Sequence, residues 1–114
     1  MSETLIRIES CPVEITLRVI GGKYKPLLLY YLAEYCVLRF GQLRKLVSAA
    51  SKKMLTQQLR ELEADGIVRR KVFHQVPPKV EYSLTARGAT LKPVLVEMGT
   101  WGSRNSAHFN RRKK

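Results

Sequence analysis

Apolar residues recur at helical spacing in a short basic stretch near the middle of the chain. Three leucines stand at positions i, i+4 and i+7, so they share one face of a helix: Leu55, Leu59 and Leu62. Ser51 suits the N-cap, and Gly66 suits the end of the helix because glycine readily adopts the left-handed conformation found there. The apolar period then changes to two over residues 67–73, which predicts a strand directly after the helix.

The outer face of this predicted helix carries cations, a hydroxyl and an amide, with no carboxylate among them: Lys52, Lys53, Thr56, Gln57 and Arg60. A glutamine can bond adenine and an arginine can bond guanine through paired hydrogen bonds. Lysines more often neutralise phosphates, which positions a protein on DNA without specifying sequence. We therefore interpret the stretch as a DNA recognition element; the alternative is a solvated helix face.

The pattern predicts three helices before the recognition helix. The first follows Cys11-Pro12 and ends at Gly21-Gly22; it is apolar on several sides, so we expect it to pack on its own core and on a second chain. The second runs from about Lys23 to Glu34 and presents a core face: Tyr24, Leu27, Leu28, Tyr31, Leu32 and Tyr35. Residues 36–38 are expected to form a short extended piece.

The third helix, residues 40–47, exposes Arg44 and Lys45, and a short linker joins it to the recognition helix. Two short helices connected in this way, the second with a basic face, predict a helix-turn-helix motif. Arg44 is then a candidate DNA contact.

A hairpin is expected after the recognition helix, because residues 67–73 and 79–84 both alternate and a proline-containing loop separates them. Such a hairpin would be the wing of a winged helix. Its candidate DNA contacts are Arg69, His74 and Lys79. The alternative is that these side chains only point to water, and the pattern leaves open whether Arg69 or Arg70 faces outward.

Thr85 is expected to cap one long last helix, with Pro93 well inside it as the cause of a kink. This helix is rich in apolar residues although the core is already specified upstream, so we expect it to pack on a partner subunit together with the first helix. The predicted dimer contacts are Val13, Leu17, Leu91, Leu95, Met98 and Trp101.

Composition indicates one small domain with an anionic partner. We divide the 114 residues into an N-terminal arm (1–10), a folded domain (11–103) and a basic, disordered tail (104–114). Twenty-one lysines and arginines against nine acidic residues give a net charge of +12, which points to a polyanion or an anionic membrane surface. No apolar run could span a membrane and the N-terminus does not resemble a signal peptide, so we expect a soluble, cytoplasmic protein.

The sequence offers little support for an enzyme active site or for a metal site. His74 and His108 lie in a predicted loop and tail, away from any nucleophile on a scaffold. Two cysteines are too few for a disulfide framework or for a zinc site built from Cys and His pairs. We therefore predict no enzyme, no cofactor and no metal site.

The chain resembles the HxlR-type transcriptional regulators, a branch of the MarR-like winged-helix proteins. The matching stretches run from residue 11 to residue 102: CPVE at 11–14, IGGKYKPLLL at 20–29, RFGQLRKLV at 39–47, KKMLTQQLRELEADGIVRR at 53–70, VPPKVEYSLT at 76–85 and WG at 101–102. The chain departs from the family at three positions: Tyr24 replaces the usual tryptophan, Lys52 a frequent proline, and Gly41 a common polar residue.

The resemblance implies a homodimer, built by the first and last helices, that binds operator DNA. It also implies that Thr56, Gln57 and Arg60 face the major groove, and that Lys79 and the wing reach the minor groove or its phosphates. Several relatives of this kind sense oxidants or electrophiles through a cysteine at the position of Cys11. The resemblance thus names a candidate signal as well as a candidate ligand.

The two cysteines have different expected roles. Cys11 lies at a predicted helix N-terminus, where the positive partial charge favours the thiolate form; the alternative is a small residue packed in a dimer interface. For Cys36 we favour a structural role. An oxidant is one candidate effector, and a small molecule near the tyrosines of helix two is another, although a tyrosine stripe more often belongs to the core.

We therefore predict an α+β, mainly α, winged helix-turn-helix with a two-stranded β wing, whose N- and C-terminal helices form a homodimer interface. Its function is predicted as a sequence-specific transcriptional repressor on a pseudo-palindromic operator, with recognition helices about 34 Å apart. Two other functions stay open: a non-sequence-specific architectural DNA-binding protein, and a winged-helix module for protein interaction.

Overall fold

The computed structural model describes residues 11–112, with side chains through residue 110; the predicted arm, residues 1–10, lies outside this range. The described part contains six helices and three strands. In chain order they are α1 (Pro12–Ile20), α2 (Lys25–Tyr35), β1 (Leu38–Arg39), α3 (Phe40–Leu46), α4 (Lys52–Ala64), β2 (Val68–Phe73), β3 (Lys79–Leu84), α5 (Ala86–Ala89) and α6 (Lys92–Arg112).

The core forms where α2, α3 and α4 meet the inner face of the sheet. Its fully buried side chains are almost all leucines: Leu28, Leu29, Leu32, Leu43, Leu55, Leu59, Leu62 and Val68. Each such side chain stabilises the fold by about 1.5–3 kcal/mol relative to an exposed one. The three leucines of α4 that set the predicted helical period all belong to this core, which confirms their common face.

Both ends of α4 are capped as the sequence predicts. The Ser51 hydroxyl accepts a hydrogen bond from the Met54 N–H at 3.1 Å. At the other end Gly66 has φ = 74°, its N–H donates to the Glu63 carbonyl, and the Ile67 N–H donates to the Leu62 carbonyl. This pair of bonds is the Schellman motif, which satisfies carbonyls that the helix leaves free. The backbone therefore turns directly from α4 into β2.

The sheet has three antiparallel strands in the order β1-β3-β2. The β2–β3 hairpin confirms the predicted wing and its register places Arg70 opposite Tyr82. The third strand, β1, overlaps the short extended piece expected over residues 36–38, but its pairing with β3 through Leu38 and Tyr82 was not predicted, because two residues are too few for a periodic signal. Cys36, with φ = 70°, makes the turn that leads from α2 into β1.

Two predictions for the C-terminal region are wrong. Thr85 caps only the short α5, and Pro93 is the second residue of the separate helix α6 rather than an interior residue. At that position a proline costs no hydrogen bond, because the first N–H groups of a helix lack helical partners. In addition, α6 continues to Arg112, so residues 104–112 of the predicted disordered tail are helical.

Two glycines provide a test of this packing. A Cβ on Gly88 would collide with the backbone carbonyl of Ile67, which is held in place by a hydrogen bond from the Thr85 N–H. A Cβ on Gly41, in the first turn of α3, would meet no atom within 4 Å. We expect Gly88→Ala to lower the free energy of unfolding by about 1–3 kcal/mol through overpacking.

Gly41→Ala is the matched control, and it should raise the free energy of unfolding by about 0.5 kcal/mol, because alanine loses less backbone entropy in a helix. Urea denaturation at a single protein concentration measures both values. Equal effects of the two substitutions would contradict the close contact between α5 and the start of β2.

Candidate nucleic-acid interface

The outer face of α4 projects into solvent because the opposite leucine face is buried. Lys52, Lys53, Gln57 and Arg60 are exposed and Thr56 is half-buried beside them. The structure therefore brings together all five polar residues that the sequence assigns to the recognition helix. They follow one another along the first ten residues of α4, where a ligand lying against the helix could contact all of them.

The turn between α3 and α4 is anchored to α2. The Tyr24 hydroxyl donates to the Ala49 carbonyl at 3.3 Å, and the linker residue Ala50 is itself buried. Arg44 is exposed on the outer face of α3, as predicted. The helix-turn-helix arrangement thus rests on a fixed turn, and Tyr24 contributes to it through its hydroxyl as well as through its ring.

The open question about the two arginines of β2 is settled by the pleat. Arg70 lies opposite Tyr82, whose side chain is buried, so Arg70 is on the sheet face turned towards α4. Arg69 lies opposite Ser83 on the outer face and is exposed. Arg69, not Arg70, is therefore the arginine that faces away from the core.

The wing presents a second cluster of cations. The Lys71 and Lys79 ammonium groups lie 4.9 Å and 4.3 Å from the centre of the Phe73 ring, within range of cation–π attraction. Lys79 also lies 3.6 Å from a carboxylate oxygen of Glu81, so this predicted contact already has partners in the free protein. His74 is exposed in the loop beyond β2.

Arg70 marks a feature that the sequence did not suggest. A polar cavity of about 250 Å³ lies between α4 and the wing, and its lining side chains are Thr56, Leu59, Arg60, Glu63, Arg70 and Tyr82. The outer face of α4 is therefore continuous with the inner face of the wing through Thr56 and Arg60. The pattern of apolar residues could not predict this junction, because it identifies a helix and a strand separately and does not show which of their side chains meet.

The sequence reasoning also missed a carboxylate beside the outer face of α4. One oxygen of Glu61 lies 2.6 Å from the ammonium of Lys25, which is only 5% exposed. The other accepts a hydrogen bond from the side-chain amide of Gln57 at 3.4 Å. The hydrogen bond from Lys25 and its positive charge lower the pKa of Glu61 below its usual range, and the hydrogen bond from Gln57 makes a smaller contribution in the same direction. The spacing of four residues between Gln57 and Glu61 was the available signal.

Part of the predicted dimer surface is exposed and part is not. Val13 and Leu17 on α1 and Met98 and Trp101 on α6 leave large apolar areas open, with Val13 67% and Trp101 61% exposed. Leu95 contradicts the prediction: it is 4% exposed and packs in the core against α2. Leu91 is half-buried against that core.

Helix α2 is less completely buried than its pattern suggested. Leu27 and Tyr35, which the period assigned to the core, are exposed, whereas Leu29 is buried. A groove of about 800 Å³ lies between α2 and α6, with Leu27, Tyr30 and Tyr31 on one side and Met98 on the other.

The two cysteines are both exposed thiols within the described chain. Cys11 is the N-cap residue of α1, as predicted, and its carbonyl accepts a hydrogen bond from the Ile15 N–H. Cys36 is exposed at the end of α2, where its backbone makes the turn into β1.

Residues 19–110 match the HxlR-like helix-turn-helix family. The chain belongs to this family. A Bacillus subtilis (strain 168) relative, the uncharacterized HTH-type transcriptional regulator YybR, is 56% identical over 97 residues, which cover 85% of this chain and 77% of the relative.

Solved structures agree. The redox regulator HypR in its oxidized form is 56% identical and covers 83% of this chain and 97% of its own, with a TM-score of 0.79. The reduced form of HypR is 51% identical to this chain, with a TM-score of 0.82. The match covers 89% of this chain and 99% of the HypR chain. These comparisons confirm the prediction of a helix-turn-helix transcriptional regulator rather than an enzyme. They also confirm the predicted winged-helix fold. Over the described residues, no helix is long and apolar enough to cross a membrane.

Proposed function

We propose that this protein is a homodimeric repressor that reads a pseudo-palindromic operator through α4 and the β2–β3 wing. The observation that carries the proposal is the outer face of α4, where an amide, a guanidinium and two ammonium groups are exposed together on a helix anchored by its leucine face. Gln57 and Arg60 supply base contacts in the major groove, and Lys52 and Lys53 neutralise phosphates. Arg44, Arg69, His74 and Lys79 contact the backbone around this helix.

Base recognition is tested by removing both reading side chains. We expect Gln57→Ala with Arg60→Ala to remove the preference for specific DNA, because each paired contact contributes about 1–3 kcal/mol of discrimination. The measurement is a gel shift on DNA from upstream of the protein's own gene, with excess random DNA as competitor and at two salt concentrations.

Arg87→Ala is the charge-matched control, since this arginine is exposed outside both α4 and the wing, and it should keep the preference. Two results would contradict base reading by Gln57 and Arg60: a wild-type complex that random DNA removes entirely, and a double variant of α4 that binds as the wild type does. The first would favour an architectural DNA-binding protein, for which the net charge of +12 alone provides affinity. The second would favour base reading by other side chains, whereas a wild type that binds no DNA would favour a protein-interaction module.

The dimer is proposed to form through the exposed apolar residues of α1 and α6. A stable interface covers about 800 Å² per partner, so it needs a continuous surface rather than isolated apolar residues, and α1 and α6 both carry several exposed apolar side chains. Of the nine residues of α1, only Ile20 is buried within the single chain. Two-fold pairing of these helices would place two copies of α4 in successive major grooves.

Replacement of Leu17 and Trp101 by aspartate should convert the dimer into a monomer, because each buried charge would lack a partner. Light scattering after size-exclusion chromatography measures the mass. Val76→Asp is the control: Val76 is 98% exposed at the wing tip, and its replacement should leave the dimer intact. A double variant that stays dimeric would place the interface elsewhere.

A thiol signal at Cys11 is the proposed means of regulation. Cys11 is exposed at the start of α1, the helix proposed to form the interface, so its oxidation would alter the relation of the two subunits. The similarity to a redox regulator solved in both oxidation states supports this assignment.

Hydrogen peroxide should weaken operator binding by the wild-type protein, and reductant should restore it. We expect Cys11→Ser to bind DNA without responding to peroxide, and Cys36→Ser to respond as the wild type does. Gel shifts of the three proteins before and after oxidation make the comparison. A Cys11→Ser protein that still responds would exclude this cysteine, and a wild type that ignores oxidant would favour a ligand in the α2–α6 groove.

A further inference from the structure

We propose that Glu61, held by the buried Lys25, orients the Gln57 amide and thereby sets the base preference of α4. Glu61 acts as a positioning residue: it need not touch DNA. The inference rests on the proposed DNA reading by Gln57 and names a determinant of its specificity.

Lys25 fixes the position of the Glu61 carboxylate. A buried ammonium is costly unless it is paired, and the partner of Lys25 in the structure is Glu61, at 2.6 Å. A second bond ties the same two helices, because Gln58 accepts from the Tyr24 N–H at 2.9 Å. The N-terminal end of α2 therefore holds both the rotation of α4 and the direction of the Glu61 side chain.

Glu61 in turn decides which end of the Gln57 amide faces it. Glu61 is ionised at neutral pH, as an ordinary glutamate is, and an ionised carboxylate only accepts hydrogen bonds. The Gln57 atom turned towards Glu61 must then be the nitrogen, and the bond between them is 3.4 Å. The amide oxygen is directed away from Glu61, and the second amide N–H stays free.

A free N–H beside a free oxygen is the pair that adenine requires in the major groove, where N7 accepts and the N6 amino group donates. Without the carboxylate, the amide could turn over and present its donor and acceptor in the reverse order. Pairing with Lys25 also offsets the negative charge of Glu61, which would otherwise repel phosphates near the recognition helix. These two effects account for a carboxylate beside a DNA-reading face.

Glu61→Gln tests the orientation with little change of shape. The new amide has a single oxygen, which Lys25 attracts, so its NH₂ group faces Gln57 and favours the reversed amide. We expect selection from a random-sequence DNA pool to show one adenine-preferring position per half-site that Gln57→Ala loses. Glu61→Gln should lower the preference at that same position by roughly 10-fold, within the range of one paired base contact.

The double variant Gln57→Ala with Glu61→Gln separates positioning from a merely structural role. If Glu61 acts through Gln57, the double variant should select the same sequences as Gln57→Ala alone, while total affinity for random DNA stays within about 2-fold at fixed salt. Lys25→Met, which removes the ion pair but keeps the buried stem, should weaken the same position. A thermal unfolding curve for each protein checks that the fold is intact.

Three results would overturn the inference. Wild-type DNA preference retained in Glu61→Gln would remove Glu61 from the assignment and leave the proposed function standing. If preference were lost equally at every position, or if the two substitutions had additive effects, the Lys25–Glu61 pair would have only a structural role in joining α2 to α4. A wild-type protein with no sequence preference at all would overturn the proposed function together with this inference.

Discussion

Burial of the leucine face of α4 is the constraint on which the rest of the site depends. Leu55, Leu59 and Leu62 are each at most 1% exposed, and they lie at positions that leave only one orientation for the helix. The cations, hydroxyl and amide of the opposite face are outside because these three side chains are inside. Removal of a single such side chain costs about 2–5 kcal/mol, a large part of the stability of a small domain.

The parts of this fold that were predictable are those encoded by periods and caps within one segment. The α4 leucines, the Ser51 cap, the Gly66 turn and the wing hairpin all follow from residues close together in the chain, whereas the register of the wing came only from the structure. The structure differs where the decisive contact is distant. Leu95 looked like interface because α6 seemed surplus to the core, but only the folded chain shows that it packs against α2.

The candidate site follows the same division. The five polar residues on the outer face of α4 could be assigned from sequence because one helical period places them. Lys25 could not, because a lysine at the start of an apolar helix shows no sign that it is buried until its acceptor, 36 residues away, is known. The break between α5 and α6 was missed for a related reason: Pro93 predicts a disturbed helix, but cannot say whether the helix bends or begins there.

The placement of charge separates two tasks that DNA-binding proteins combine. In the proposed complex, lysines near the start of α4 and on the wing act through phosphates, and attraction of this kind is independent of sequence and falls steeply with salt. Discrimination requires instead that a neutral amide have a fixed orientation, which a freely rotating glutamine lacks. A buried cation and a carboxylate satisfy that requirement on the proposed reading face. Since the pair connects α4 to the N-terminal end of α2, the proposed positioning role implies that a movement of α2 alters base preference while the exposed cations stay where they are.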